Sequence, residues 1–136
     1  MNDRAFLDTN ILIYLYSQEE SNKPRVAQNI LNSYYCVVSL QTLNELSNVW
    51  AKKYYWDSNK IISHLNNIDL ICDELLPITR KNINYALKLK DIYQYSYYDC
   101  LILSSALEGH CKVIFTEDMK SGQIIEGGLL ITNPFI

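Results

Sequence analysis

The feature that most constrains this chain is an alternation. Short apolar runs of strand length recur along it, and each is followed by a stretch whose apolar residues return every three to four positions. Residues 4–7, 35–38, 74–78, 112–115 and 129–132 read as the strands. Strands with apolar residues at consecutive positions need cover on both faces, which is the situation of a parallel sheet with crossover helices packed above and below it. The pattern predicts an α/β fold: a three-layer α/β/α sandwich around a central, mainly parallel sheet of about five strands. With 136 residues there is chain for one such core and not two, so residues 1–136 are read as a single domain.

Local signals place the helices. The run 10–16, apolar after Asn10, makes a helical turn behind the first strand. Pro24 stands where a helix begins, and Val26, Ala27, Ile30 and Leu31 carry that helix to about Ser33. Ser39 is a good N-cap for a helix with Leu40, Leu43, Leu46 and Trp50 along its inner side and Gln41, Glu45 and Asn48 on its polar face. Residues 58–72 form the next helix, with Ile61, Ile62, Leu65 and Ile68 inward, and Pro77 then marks strand 74–78 as an edge. Thr79 caps a helix to about Tyr93 that turns Ile83, Ala86, Leu87 and Leu89 inward and Arg80, Lys81, Lys88 and Lys90 outward. The stretch 97–107 is apolar nearly all round, as in a buried helix, and Gly109 is placed as its left-handed C-cap.

Sites in open parallel sheets form beyond the carboxyl ends of the strands. Asp8 directly follows the first strand, and Asp118 lies just past the run 112–115. Asp99 opens the buried helix, and Glu45 sits one to two turns into the helix after the second strand. Each has a plain structural reading: Asp8 as a helix cap, Asp99 as a first-turn acid favoured by the helix dipole, Glu45 as a solvated residue, Asp118 as a turn residue. Their joint placement at one end of the sheet points to chemistry instead. Clustered carboxylates raise one another's pKa unless a cation neutralises them. Oxygen-only ligands select Mg²⁺ or Mn²⁺, which complete their shells with water and phosphate oxygens, so the substrate class is a phosphodiester or phosphate ester. The expected reaction is metal-assisted hydrolysis by an activated water, without a protein nucleophile. Thr9, Asn10 and Thr116 are supporting residues that orient a carboxylate, a water or the phosphate, and Glu117 can take or share the role of Asp118.

Composition bears on this in three places. The formal charge of −3 speaks weakly against nucleic acid, yet the 15 acidic residues less these four leave 11 against 12 basic ones, so the remaining surface is about neutral. No apolar run approaches the roughly 20 residues of a membrane span and no signal-peptide pattern opens the chain, which predicts a soluble protein of the cytoplasm. Cys36, Cys72, Cys100 and Cys111 are dispersed among apolar neighbours and read as buried free thiols, not as a disulfide or zinc framework.

The residues around the four acids also resemble a known family, the PIN-domain ribonucleases, and within it the VapC-type toxins of bacterial toxin–antitoxin pairs. The resemblance spans nearly the whole chain. Phe6-Leu7-Asp8-Thr9-Asn10-Ile11-Leu12 resembles the opening motif, and Ser39-Leu40-Gln41 with Asn44-Glu45-Leu46 the second. Ser96-Tyr97-Tyr98-Asp99 with Leu101-Ile102 resembles the third. The fourth is carried by Thr116-Glu117-Asp118-Met119, Gly122-Gln123 and Asn133-Pro134-Phe135. The family often has Trp near Tyr97 or Tyr98 and a small residue where Cys100 stands, a departure that leaves the acids intact. The resemblance implies Mg²⁺- or Mn²⁺-dependent endonuclease action on RNA, metal ligation by Asp8, Glu45, Asp99 and Asp118, a homodimer, and a VapB-like inhibitory antitoxin that wraps the toxin.

Two rival functions are set against it. A phosphatase of the haloacid-dehalogenase type also places an aspartate after the first strand but needs a second two residues on, where this chain has Asn10. A catalytically silent PIN-like binding module would not need all four acids. Outside the motifs, Lys52-Lys53-Tyr54-Tyr55-Trp56 interleaves charge with stacking surface and suits either single-stranded nucleic acid or a protein interface. Eleven tyrosines exceed what one small core needs, so some are expected at an interface. His64 and His110 read as packing or surface residues, and Cys100 lacks a motif-placed histidine to activate it.

Overall fold

The computed structural model describes residues 2–136. In chain order the elements are β1 (Arg4–Leu7), α1 (Thr9–Leu15), α2 (Lys23–Ser33), β2 (Tyr35–Ser39), α3 (Leu40–Lys52), α4 (Ser58–Ile71), β3 (Glu74–Leu76), α5 (Arg80–Tyr93), α6 (Tyr97–Glu108), β4 (Val113–Phe115), β5 (Ile124–Ile125) and β6 (Leu129–Thr132). They form one sheet in the order β3-β2-β1-β4-β6-β5, parallel throughout except for the β5–β6 hairpin. The five expected strands are present. The sixth, β5, has two residues and therefore no periodicity to read; its hairpin turns through Glu126 and Gly127 at φ 49° and 73°.

The alternating pleat feeds two cores. Ala5, Leu7, Cys36, Val38, Val113 and Phe115 face α1 to α4, while Phe6, Val37 and Ile114 face α5 and α6. Every one of these side chains is at most 9% exposed, which is why the strand sequences are apolar at consecutive positions. Helix α6 carries the heaviest burial: all seven residues from Cys100 to Ala106 are enclosed, as its all-round apolar sequence predicts. The chain leaves β1 toward β2 and β3 and returns on the other side through β4, so the order reverses between β1 and β4. A crevice opens at the carboxyl ends of strands at such a point.

Four details differ from the sequence reading. Leu40, Ile62 and Leu87 point outward, 42%, 54% and 50% exposed. At 3.6 residues per turn, Leu40 lies about 120° round α3 from Leu46 while Thr42 lies only about 40° away, so Thr42 takes the inner place. Ile62 and Leu87 likewise stand about 100° from their buried neighbours Ile61 and Ala86. Gly109 is not a left-handed cap: its φ is −77°, and His110 takes the positive φ of 56°. Glycine is needed at 109 for close approach, since a Cβ there would meet Leu76 Cδ1 at 2.9 Å and the Ser105 carbonyl oxygen at 3.2 Å.

Other expectations stand. Ser39 and Thr79 cap α3 and α5, each in a reciprocal capping box. Strand β3 is an edge that ends before Pro77. All four cysteines are buried and free, and burial pushes the Cys36 and Cys72 thiols up to about 12. Among the described residues, no helix is long and apolar enough to cross a membrane.

Candidate active site

The reversal between β1 and β4 brings the first and fourth sequence motifs side by side. The strands pair with Leu7 opposite Phe115, and the Asp8 amide donates to the Phe115 carbonyl at 3.1 Å. Asp8 is the N-cap of α1 and also the most deeply placed acid of the site, 3% exposed. Its Oδ1 accepts from the Thr9 amide at 2.8 Å and its Oδ2 from Thr116 Oγ1 at 2.7 Å. Burial nonetheless pushes its carboxyl up to about 7, against those two hydrogen bonds and with help from the charges of Glu45 and Asp99. The structural reading of Asp8 as a cap is thus correct and insufficient, because a cap alone has no need of an enclosed second oxygen.

Helix α3 delivers Glu45 from the neighbouring strand. Thr9 Oγ1 donates to Glu45 Oε2 at 3.0 Å, and Gln41, one turn back, donates to Oε1 at 3.1 Å. Asp99 stands in the first turn of α6, its amide donating to the Ser96 cap at 3.2 Å. Its carboxyl is raised by burial first and then by the charges of Asp118 and Glu45, with the Ser96 hydrogen bond opposing. Asp118 is held from both sides: its amide donates to Thr116 Oγ1 at 3.1 Å, and Asn10 Nδ2 donates to its Oδ2 at 3.0 Å. Thr116 therefore touches two acids at once, and Asn10 reaches across from α1.

Glu117 is treated differently. Its Oε2 lies 2.7 Å from Lys23 Nζ, and its Oε1 accepts from Tyr14 Oη at 2.7 Å. Burial works to raise its pKa, but the hydrogen bonds from Lys23 and Tyr14 and the charge of Lys23 hold it below the ordinary carboxylate value. Its amide donates to Asn10 Oδ1 at 3.3 Å, so Asn10 bridges the Glu117 backbone to the Asp118 side chain. Lys23 and Tyr14 carry no sequence signal for this role, because 94 and 103 residues separate them from Glu117. Gln41 was signalled by its four-residue spacing from Glu45.

Between α3 and α6 lies an open cleft of about 480 Å³ lined by Gln41, Asn44, Glu45, Asn48, Tyr98 and Asp99. Among the described residues, no three His, Cys, Asp or Glu side chains crowd closely enough to form a ready-made metal cage. Asp8 feels the charges of Glu45 and Asp99, and Asp99 those of Asp118 and Glu45, without the four closing on a point. Mg²⁺ fits such an arrangement, since it keeps several waters and takes only one or two carboxylates directly. The donor set is all oxygen, and no lysine or arginine pairs with these four acids among the described residues.

No curated protein matches the chain by sequence. Among solved structures it is similar to a toxin–antitoxin complex from Klebsiella pneumoniae, with 25% identity and a TM-score of 0.68 over 96% of this chain and 97% of that one. It is similar also to VapBC2 from Rickettsia felis bound to a promoter DNA fragment, at 18% identity and a TM-score of 0.68 over 96% and 99% of the two chains. The sarcin–ricin loop cleaving toxin VapC20 of Mycobacterium tuberculosis aligns at 16% identity with a TM-score of 0.64, covering 84% and 91%. The PIN domain itself matches residues 5–123, a span that runs from within β1 through β4 and contains all four acids. The chain belongs to the PIN domain family.

Proposed function

We propose that this protein is a Mg²⁺- or Mn²⁺-dependent endoribonuclease acting as the toxin of a toxin–antitoxin pair. The observation that carries the reading is the set of four acids without a cationic partner at the β1–β4 reversal, with Asp8 buried and its carboxyl pushed up to about 7. An enclosed group this easily protonated is poorly placed as a structural charge and well placed to meet a divalent cation. When bound, that ion supplies the positive charge that acidifies a water and neutralises the phosphate oxygens. Asp8, Asp99 and Asp118 would hold it, with Glu45 completing the set from α3. Thr9 and Gln41 fix the Glu45 carboxylate, Thr116 spaces Asp8 from Asp118, and Asn10 orients Asp118. Asn44, Asn48 and Tyr98 line the cleft beside the acids, where neutral hydrogen-bonding groups suit a polynucleotide strand.

The toxin role rests on the likeness to a toxin–antitoxin complex and to a sarcin–ricin loop cleaving toxin. A VapB-like antitoxin and a homodimer belong to the same proposal. The test is cleavage of structured RNA by purified, antitoxin-free protein. Fragments are expected in Mg²⁺ or Mn²⁺, none in EDTA, and none with Asp8→Ala or Asp99→Ala. Intact RNA in every arm, or equal cutting by the variants, sinks the nuclease reading. Growth that continues normally when the chain is expressed alone counts against the toxin role.

A further inference from the structure

A second concavity lies away from the acids, at the opposite ends of α1 and α3. It is a cleft of about 330 Å³ with largely aromatic walls. Trp56 stacks on Trp50, 4.6 Å between ring centres and 20° between planes. His64 tilts against Trp56 at 4.5 Å and meets Tyr16 edge-on at 5.1 Å. The Lys60 ammonium stands 4.2 Å from the centre of the Trp56 ring. Trp50 is a buried floor at 1% exposure, whereas Tyr54 in the wall is 44% exposed.

We propose that this cleft is a subsite for an unpaired base of the RNA strand, with Lys60 taking a flanking phosphate; the proposal rests on the ribonuclease reading above. Exposed aromatic faces beside lysines are how proteins hold single strands, because every base has a face to stack and every nucleotide a phosphate to neutralise. The local charge agrees with a polyanion: Lys60 lines the cleft, and the nearby Asp57 is occupied in capping α4, accepting from the Lys60 amide at 2.8 Å. His64 supplies an edge contact. Its Nδ1 lies 2.9 Å from the Lys60 carbonyl, which can only accept, so Nδ1 is a donor and holds the ring in place against Trp56. Trp50 follows Glu45 by five residues, about 7.5 Å along α3, and Tyr16 caps the end of the helix that Asp8 begins.

The chain has only two tryptophans, and both line this cleft, so tryptophan emission reports on it directly. An Asp8→Asn variant in EDTA, which cannot cut, is titrated with an unstructured 12-nucleotide RNA whose binding is followed independently by the anisotropy of an end label. Saturable quenching is expected with the single strand and much less with the same RNA annealed to its complement. Adding Tyr54→Ala and Lys60→Ala, changes verified to leave the melting curve in place, is expected to weaken binding roughly tenfold or more. RNA that binds without quenching, duplex that quenches equally, absence of RNA binding, or undiminished affinity in the variant overturns the subsite. Emission that changes when protein alone is diluted assigns the cleft to self-contact and overturns it as well. The two readings separate cleanly: quenching by RNA that the wild-type protein leaves uncut in Mg²⁺ removes the nuclease and keeps the subsite, while cutting without quenching does the reverse.

Discussion

Asp8 and Glu117 meet at the same reversal of the sheet and have opposite electrostatic fates. Glu117 has a cation built in, Lys23 at 2.7 Å, and its carboxyl sits below the ordinary value. Asp8 has two neutral donors and no cation, and burial pushes its carboxyl up to about 7. An acid whose counter-charge the fold supplies is part of the framework. One left buried without a counter-charge has a place for something from outside. The comparison also separates Glu117 from its neighbour Asp118, which is held by the amide of Asn10 and a backbone contact to Thr116, both neutral.

The largest expected break in that comparison is Asp8→Asn, which keeps the shape and one accepting oxygen but removes the charge and puts an amide donor at the other position. RNA cleavage should fall by roughly 10²- to 10³-fold, as when a group that stabilises transition-state charge is lost. The melting temperature at pH 7 in EDTA should hold or rise, because a desolvated carboxylate has been replaced by a neutral amide. A variant that cuts normally would show that Asp8 is only a cap. Next comes Thr116→Val, which deletes the hydroxyl shared by Asp8 and the Asp118 amide. Loss of such support around a metal site commonly costs 10- to 100-fold in activity or metal affinity, measurable as the Mg²⁺ concentration for half-maximal cleavage. Unchanged Mg²⁺ dependence would detach Thr116 from the site.

Lys23→Met sharpens the other half. Freed of its cation, Glu117 loses its anchor, and kcat/KM should fall by roughly tenfold through a looser Asp118, with the Mg²⁺ requirement retained. Glu117→Gln should reproduce it. Activity indifferent to both changes would confine the ion pair to stability.

The smallest effect is a pair of opposite pH slopes in metal-free stability. Asp8 has a folded pKa above its unfolded value near 3.8, so its contribution is fully present at low pH and is lost as pH rises from about 4 to about 7. Each unit of displacement corresponds to about 1.4 kcal/mol. Glu117 has a depressed folded pKa, so its contribution is present above its unfolded pKa and is lost as pH falls through the folded one. Urea melts of Asp8→Asn and Lys23→Met across pH 3 to 8 should each remove one slope and leave the other. Parallel curves for wild type and Asp8→Asn would show that Asp8 does not carry its term.

The residues that local chemistry places were legible in sequence. Asp8 and Asp118 follow apolar runs that became β1 and β4, Ser39 and Thr79 cap helices where their side chains predict, and the all-round apolar stretch after Asp99 is the enclosed α6. Glu45 was legible only as a polar-face residue. What turned it toward Asp8 is a hydrogen bond from Thr9, 36 residues away. The misread apolar residues have a common cause: Leu40, Ile62 and Leu87 fit a three-or-four spacing, but each stands 100° or more from the face its helix buries, and a repeat count does not fix the phase. Gly109 looked like a left-handed cap because glycine commonly is one, whereas its actual constraint is the side chain of Leu76, from a strand over thirty residues earlier.

By itself, then, the sequence determined the α/β alternation, the number of longer strands and the positions of four acids relative to strand and helix ends, because those follow from periodicity and capping within a few residues. Tertiary structure alone decided which acid would be neutralised. Asp8 and Glu117 are the same chemical group beside the same crevice. Their difference lies in where the folded chain carries Lys23, a through-space distance that no local pattern encodes.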